Sequence, residues 1–276
     1  MTMKKRIQKH TASFFPKFFT GTKANEAVKL IRHDSRPILI VTGQKTGTHL
    51  VLKILDAANL IKGKRTSQGP GRLSSIDLGT LNYYEYLQTH QAPEISVFSM
   101  IEKKEACVIF NYRDPRDVIV SNYFWLSDAN EVVQRGNVTR EYLKKAYFNM
   151  GNKEKILEFM IRCQQILPEE QTLMDWFYKT RGLFLHPNVY KTNYETLVGA
   201  RGGGDDAAQR NMVEGLFKFL SIEADVNKII KQAYDEGQET FRKGTIGDYR
   251  NHFTPQLESL FLELHGQTLD LYGYKR

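Results

Sequence analysis

Lys45 is the first residue whose setting points to chemistry. It lies in Gly43-Gln-Lys-Thr-Gly47, directly after the apolar run Ile38–Val41 and directly before the amphipathic run Thr48–Leu60. The apolar run reads as a buried strand and the amphipathic run as a helix, so the glycine turn joins a strand end to a helix N-terminus. Such a turn offers unpaired backbone N–H groups, the positive end of the helix dipole and, here, the Lys45 ammonium. That combination suits a phosphate-like anion. In a Walker A loop the lysine follows the second glycine, as G-x-x-x-x-G-K-S/T. Here Lys45 precedes Gly47, and Thr48 and His49 follow it, which departs from the kinase and ATPase arrangement.

Two further cationic segments lie downstream. Arg113 opens Arg113-Asp-Pro-Arg-Asp-Val-Ile-Val-Ser121, after the strand-like run Ala106–Asn111. Asp114 reads as an N-cap, Pro115 as the first helical residue and Asp117 as the N3 member of a capping arrangement, so those three are assigned to structure. Arg113 is not explained this way, because a cation beside a helix N-terminus meets an unfavourable dipole unless an anion binds there. Ser121, about two turns along, adds a hydroxyl. The third segment is Phe241-Arg-Lys-Gly-Thr-Ile-Gly-Asp-Tyr-Arg-Asn-His-Phe-Thr254. Adjacent Arg242 and Lys243 before Gly244 let side chains and backbone N–H groups converge on one phosphate, the Arg242 fork being suited to bidentate contact.

Taken in order, these segments resemble those of the sulfotransferases that use 3′-phosphoadenosine 5′-phosphosulfate (PAPS). The first resembles the family's P-K-x-G-T-x-x-W/L loop, which implies that Lys45, Thr46, Gly47, Thr48, His49 and Leu50 hold the 5′-phosphosulfate. The second resembles R-N/D-P-R/K-D-x-x-x-S, implying that Arg113 and Ser121 grip the 3′-phosphate. The third is similar to R-K-G-x-x-G-D-W/Y-K/R and adds Arg242, Lys243 and Gly244 to the cofactor-binding set. Tyr194, in Asn193-Tyr-Glu-Thr196, falls where the family has a tyrosine near the adenine. Gln88-Thr-His-Gln-Ala-Pro93 resembles K/R-T-H-x-x-P, whose histidine is the catalytic base. Histidine suits that role because its pKa of about 6.5 leaves it proton-accepting at neutral pH. Of the seven histidines, His90 is therefore the candidate base; His49, next to the loop, is given a supporting role.

The resemblance spans Pro37 to Thr254. It implies in-line sulfuryl transfer from PAPS to an acceptor hydroxyl or nitrogen, with His90 removing the proton and Lys45 stabilising the leaving oxygen, and no metal. Three departures stand out. Gln88 replaces a cation, Leu50 stands where a tryptophan often stacks on adenine, and Pro255 replaces a valine of the family's dimer segment, so oligomeric state is not predicted.

The elements that must position these groups alternate between strand and helix. The chain has 276 residues, 41% of them hydrophobic and 25% charged, enough for a sizeable core. Strands at Ile38–Thr42, Tyr86–Thr89, Ala106–Asn111 and Asn188–Thr192, separated by helical patterns, predict an α/β fold. The expected architecture is a single domain with a central parallel sheet flanked by helices, P-loop-NTPase-like. Residues 1–35 read as a lead-in with a helix near Ala24–Arg32, and residues 36–276 as the domain. The loop Gly199–Asp206 reads as a flexible surface connection. The net charge of +8 is spread along the chain; it suits a polyanionic small ligand as well as nucleic acid and does not choose between them, while the resemblance implies a small-molecule partner and no nucleic acid. Cys107 and Cys163 show neither metal nor disulfide spacing, and no apolar run reaches the roughly 18 residues of a membrane span, so the expectation is cytoplasmic.

The acceptor is expected to be a small molecule held by segments without motifs: residues 72–86, Tyr123–Asp128 and Asp175–Tyr178. Their aromatics and carboxylates (Asp77, Tyr83, Tyr84, Glu85, Tyr86, Trp125 and Asp128) suit a polar or cationic acceptor, such as a guanidinium compound of the saxitoxin class. A nucleotide-dependent kinase or NTPase and a non-catalytic nucleotide-binding protein are the alternatives.

Overall fold

The computed structural model describes residues 31–62, 78–79, 81–82, 85–127, 144–147, 149–165, 172–233 and 244–276. In chain order the elements are β1 (Ile31–Arg32), β2 (Ile38–Thr42), α1 (Thr48–Ala57), β3 (Ile61–Lys62), β4 (Glu85–Thr89), α2 (Ile95–Glu102), β5 (Cys107–Tyr112) and α3 (Pro115–Ser127). There follow α4 (Lys153–Ile161), α5 (Leu173–Leu185), β6 (Val189–Asn193), α6 (Tyr194–Leu197), α7 (Asp206–Phe219), β7 (Ile222–Glu223), α8 (Val226–Ala233) and α9 (Pro255–Tyr272). Short 3-10 turns occupy Ala200–Gly202 and Asp248–Asn251.

The main sheet has five strands in the order β3-β4-β2-β5-β6, and every pairing in it is parallel. β2 is buried throughout and apolar from Ile38 to Val41, because both of its faces are covered, as parallel strands require. Side chains alternate across the sheet. Leu39, Val41, Val108 and Phe110 pack with residues of α3, α4, α5 and α9, whereas Ile38, Ile40, Cys107 and Ile109 pack with α1, α7 and α8. The result is a three-layer α/β domain. From β2 the chain first builds β3 and β4 on one side, then crosses to β5 and β6 on the other. The C-terminal end of β2 is therefore the topological switch point, where open parallel sheets form their binding crevice.

Some expected boundaries shift for local reasons. α1 stops at Ala57, not Leu60, because Asn59 adopts a left-handed φ of 61° and Leu60 N–H turns back to the Leu55 carbonyl at 3.1 Å. Ile31 and Arg32, expected to end a helix, instead form β1, antiparallel to β7. Buried Arg32 donates to the Leu220 carbonyl at 3.2 Å and to the Arg36 carbonyl at 2.7 Å, bonds that an extended backbone permits. The rest of that expected helix lies outside the described residues. Among the described residues, no helix is long and apolar enough to cross a membrane.

Candidate active site

The Lys45 loop sits at the switch point and is built to be rigid. Lys45 itself has a left-handed φ of 63° and Gly47 a φ of 94°, so the loop turns sharply into α1. Gly47 is the N-cap of α1, and no side chain caps that end. Buried Thr46 donates through its hydroxyl to the Gly43 carbonyl at 2.9 Å, and its own carbonyl accepts from the Asn111 amide at 2.7 Å. Asn111 in turn accepts from the Thr192 hydroxyl at 2.9 Å. The loop after β2 is thus moored to β5 and, through it, to β6. Thr48 donates its hydroxyl to Thr42 at 2.9 Å. His49 is exposed, and Leu50 is buried in the core, so Leu50 presents no stacking face. The Lys45 ammonium lies 5.7 Å from the centre of the Trp125 ring, within cation–π range.

Arg113 and Tyr194 meet this loop from the ends of β5 and β6. Tyr194 is buried, and its ring packs so closely on Gly47 that a Cβ there would fall 2.5 Å from its Cδ2. The Arg113 guanidinium lies over the same ring, 4.2 Å from its centroid. Burial pushes the Tyr194 phenol up, partly offset by the Arg113 charge. Arg113 also donates through Nη2 to the Thr245 carbonyl at 3.2 Å and lies 3.4 Å from Asp117 Oδ2. Its Nε is buried with no hydrogen-bond partner among the described residues. Gly244, with a φ of 62°, stands next to Thr245. Arg242 and Lys243 lie outside the described residues. Ser121 is half-buried in the second turn of α3. The loop, Arg113, Tyr194 and the Gly244 segment are therefore brought together, although they are scattered along the sequence.

The local capping scheme differs from the expected one. Asp114 does cap α3, accepting the Arg116 N–H at 2.9 Å and gripping the Arg116 guanidinium. Asp117, however, does not reach back to the cap. It accepts the Gly247 N–H at 2.8 Å and the Tyr249 N–H at 2.9 Å, from a loop distant in sequence. The Asp114 N–H that a capping box would satisfy goes instead to Glu195 Oε1 at 2.9 Å, while Glu195 Oε2 accepts from the Tyr274 hydroxyl at 2.9 Å. Burial raises the carboxyls of both Asp117 and Glu195, against the N–H groups that favour their ionised forms. The Gly199–Asp206 segment is likewise no loose connection: buried Gly202 accepts the Ile246 N–H at 3.2 Å, which backs the Gly244 segment from behind.

His90 stands on the opposite side of the Lys45 loop. Its Nδ1 lies 2.9 Å from the Thr42 carbonyl and 3.2 Å from the Thr42 hydroxyl. A carbonyl can only accept, so Nδ1 carries the proton and Nε2 is the basic nitrogen. The buried Gln88 amide lies 3.2 Å from the same Thr42 hydroxyl and 3.4 and 3.5 Å from the two ring nitrogens. Gln88 thus puts a neutral dipole beside the imidazole.

His90 lines a cavity of about 230 Å³ together with Gly43, Gln44 and Thr46 of the loop, and Gln91, Val118, Thr172, Leu173, Trp176 and Phe177. Trp176 and Phe177 were anticipated; Gln44, Gln91, Thr172 and Leu173 were not, since neutral polar and aliphatic residues carry no motif. None of the lining residues is charged. Asp175 is taken up by the α5 capping box with Thr172, and Tyr178 donates away from the cavity to His265 at 2.7 Å. Glu85 accepts from Asn82, and the Tyr86 hydroxyl donates to Asp56 on the other face of the sheet. Among the described residues, then, no carboxylate lines this cavity to meet the cationic acceptor that was expected. Asp77, Tyr83, Tyr84 and Asp128 lie outside the described residues. At Pro255 the departure has a local cause: Thr254 caps α9 and Pro255 is its first residue.

A family model described as the sulfotransferase domain matches residues 35–198. The chain is 25% identical over 288 residues to a 3-alpha-hydroxysteroid sulfotransferase of Cavia porcellus, covering 95% of this chain and 83% of that one. Among solved structures, a mouse sulfotransferase, SULT7A1, complexed with PAP is similar with a TM-score of 0.53 at 17% identity, over 88% of this chain and 90% of that chain. Retinol dehydratase, in complex with androsterone and the inactive cofactor PAP, is similar with a TM-score of 0.52 at 14% identity, over 85% and 81%. The two structural likenesses bear on the fold alone.

Proposed function

The chain belongs to the sulfotransferase family, and on that footing we propose that it transfers a sulfuryl group from PAPS to a hydroxyl or nitrogen of a small-molecule acceptor. The residues present suit such a donor. The glycine cradle at Gly47 leaves no room for a side chain, and the buried Arg113 Nε lacks a partner among the described residues, as an anion-binding guanidinium would. Lys45 and the N-terminus of α1 would hold the 5′ end. Arg113, Ser121, Arg242, Lys243 and Gly244 would hold the 3′ end, with Tyr194 beside the nucleoside. PAPS, when bound, supplies an already activated sulfuryl group.

The work left to the protein is positional and electrostatic. His90, with its proton fixed on Nδ1 by Thr42, presents Nε2 to take the acceptor's proton. The Lys45 ammonium offsets negative charge that develops on the leaving oxygen, in a loop too well moored to need rearrangement. The cavity wall seats the acceptor on Trp176 and Phe177, with Gln44, Gln91 and Thr172 as neutral hydrogen-bonding partners. The observation that carries this reading is that one cavity is walled by both the candidate base and the backbone of the lysine loop. A ring-bearing acceptor without formal charge fits that lining better than a guanidinium does.

Calorimetry with 3′,5′-bisphosphoadenosine (PAP) and with ATP tests the donor first. Tighter binding of ATP would favour a kinase-like enzyme and end the proposal. Labelled PAPS incubated with phenols, alcohols, amines and guanidinium compounds, with products followed by mass, then tests transfer; a donor-binding protein that sulfates none of them would be a non-catalytic one.

A further inference from the structure

Asp117 is a buried carboxylate placed among groups that should attract an anion, a position that works against an anionic ligand unless the carboxylate does something more valuable. Three donors converge on it. Oδ2 takes the Gly247 N–H at 2.8 Å and faces Arg113 Nη2 at 3.4 Å, while Oδ1 takes the Tyr249 N–H at 2.9 Å. Arg113 meets the same loop again through the Thr245 carbonyl at 3.2 Å. Tyr249 is held from the other side by the Arg116 guanidinium, stacked at 4.1 Å. Both polar contacts of Arg113 use Nη2, and Nε has none among the described residues. Asp117 also lies in the first turn of α3, where its charge opposes the dipole that Arg113 would otherwise meet alone.

We propose that Asp117 is a positioning residue for the donor's 3′-phosphate, locking the Gly244–Tyr249 loop and the Arg113 guanidinium at a fixed spacing so that both address one anion. Sharing Oδ2 between the Gly247 amide and Arg113 means that neither can shift without losing the other's partner. The inference rests on the PAPS reading above, and its test separates the two. Asn at this position keeps the shape but presents an NH₂ to one of three donors, so one arm of the lock is lost.

The probes are PAP and adenosine 5′-monophosphate, titrated calorimetrically into the unaltered protein, Asp117→Asn, Arg113→Ala and the double variant. Asp117→Asn should weaken PAP by roughly tenfold or more, as loss of a charge-assisted contact does, while the monophosphate stays within about twofold. Arg113→Ala should show the same selectivity, and the double variant should be little worse than either alone, because the two act as a unit. Equal loss on both ligands, no loss on either, or simple additivity would overturn the inference and leave Asp117 a residue of the fold only. If circular dichroism shows that Asp117→Asn does not fold, Asp117→Glu, which keeps the charge one methylene out of place, carries the same comparison; failure of both to fold also counts against the inference. An unaltered protein that does not prefer PAP over the monophosphate would instead remove the donor assignment itself.

Discussion

Substituting Gly47 by alanine probes the centre of the site with a magnitude that follows from its geometry. Gly47 has a φ of 94°, and the added Cβ would lie 2.5 Å from the Tyr194 ring. The left-handed backbone costs an alanine about 1–2 kcal/mol. Forcing a methyl against a buried ring costs a further ~1–3 kcal/mol. Both contributions should appear, because Tyr194 is buried and in contact with both Gly47 and the Arg113 guanidinium. At the ~2–4 °C per kcal/mol expected for chains of this size, the melting temperature should fall by about 4–20 °C. Gly203→Ala is the control: its φ is 91°, but nothing among the described residues lies within 4 Å of the new methyl, so only the backbone penalty applies. Melting followed by circular dichroism compares the two, and Tyr194→Leu in the Gly47→Ala background should recover part of the loss. If the two glycine variants melt within a degree or so of each other, the packing of Tyr194 on the loop is not as described. The displaced ring should also weaken PAP binding in Gly47→Ala and leave it unchanged in Gly203→Ala.

Replacing His90 by alanine should lower turnover by roughly 10²–10⁴ with PAP affinity nearly kept; near-normal turnover would exclude His90 as the base. His265 accepts from Tyr178 and donates to the Ile161 carbonyl, and burial holds its pKa below the ordinary 6.5. The unfolded chain therefore takes up this proton first, and stability should drop as pH falls below about 6.5. His265→Gln should flatten that part of the urea-midpoint profile, and an unchanged slope would count against the buried neutral imidazole. Cys107 is buried, and desolvation pushes its thiol up to about 11. Native labelling with an alkylating reagent at neutral pH should spare it, and labelling at the rate of a free thiol would contradict its placement.

Elements whose signal is local were legible in the sequence. β2 reads directly from its uninterrupted apolar run, and the start of α3 from Asp114 and Pro115. The family resemblance implied that the lysine loop, Arg113 and Tyr194 serve one ligand, and the fold packs Tyr194 against both Gly47 and Arg113. What each of them leans on was not legible, because the partners are remote. Asp117 looks like an ordinary capping residue until the fold brings Gly247 and Tyr249 to it, 130 and 132 positions along the chain. Glu195 gives no sign in sequence that it holds the Asp114 N–H. The cavity beside His90 was mostly hidden for a different reason: Gln44, Gln91 and Thr172 carry neutral hydrogen-bonding groups, which occur throughout ordinary sequences. Of the carboxylates expected around the acceptor, Glu85 and Asp175 already serve neighbouring backbone groups, and Asp77 and Asp128 lie outside the described residues.

The strand order has a consequence for how this protein becomes competent. β2 is flanked by β4 and β5, and β5 by β6, so the residues of the candidate site come from stretches of chain far apart in sequence. Closing such long loops is slow, and its entropic penalty falls due before the contacts form. A partly zipped sheet has no pocket at all. A ligand that recognises only the finished crevice would draw the folding equilibrium toward completion by mass action.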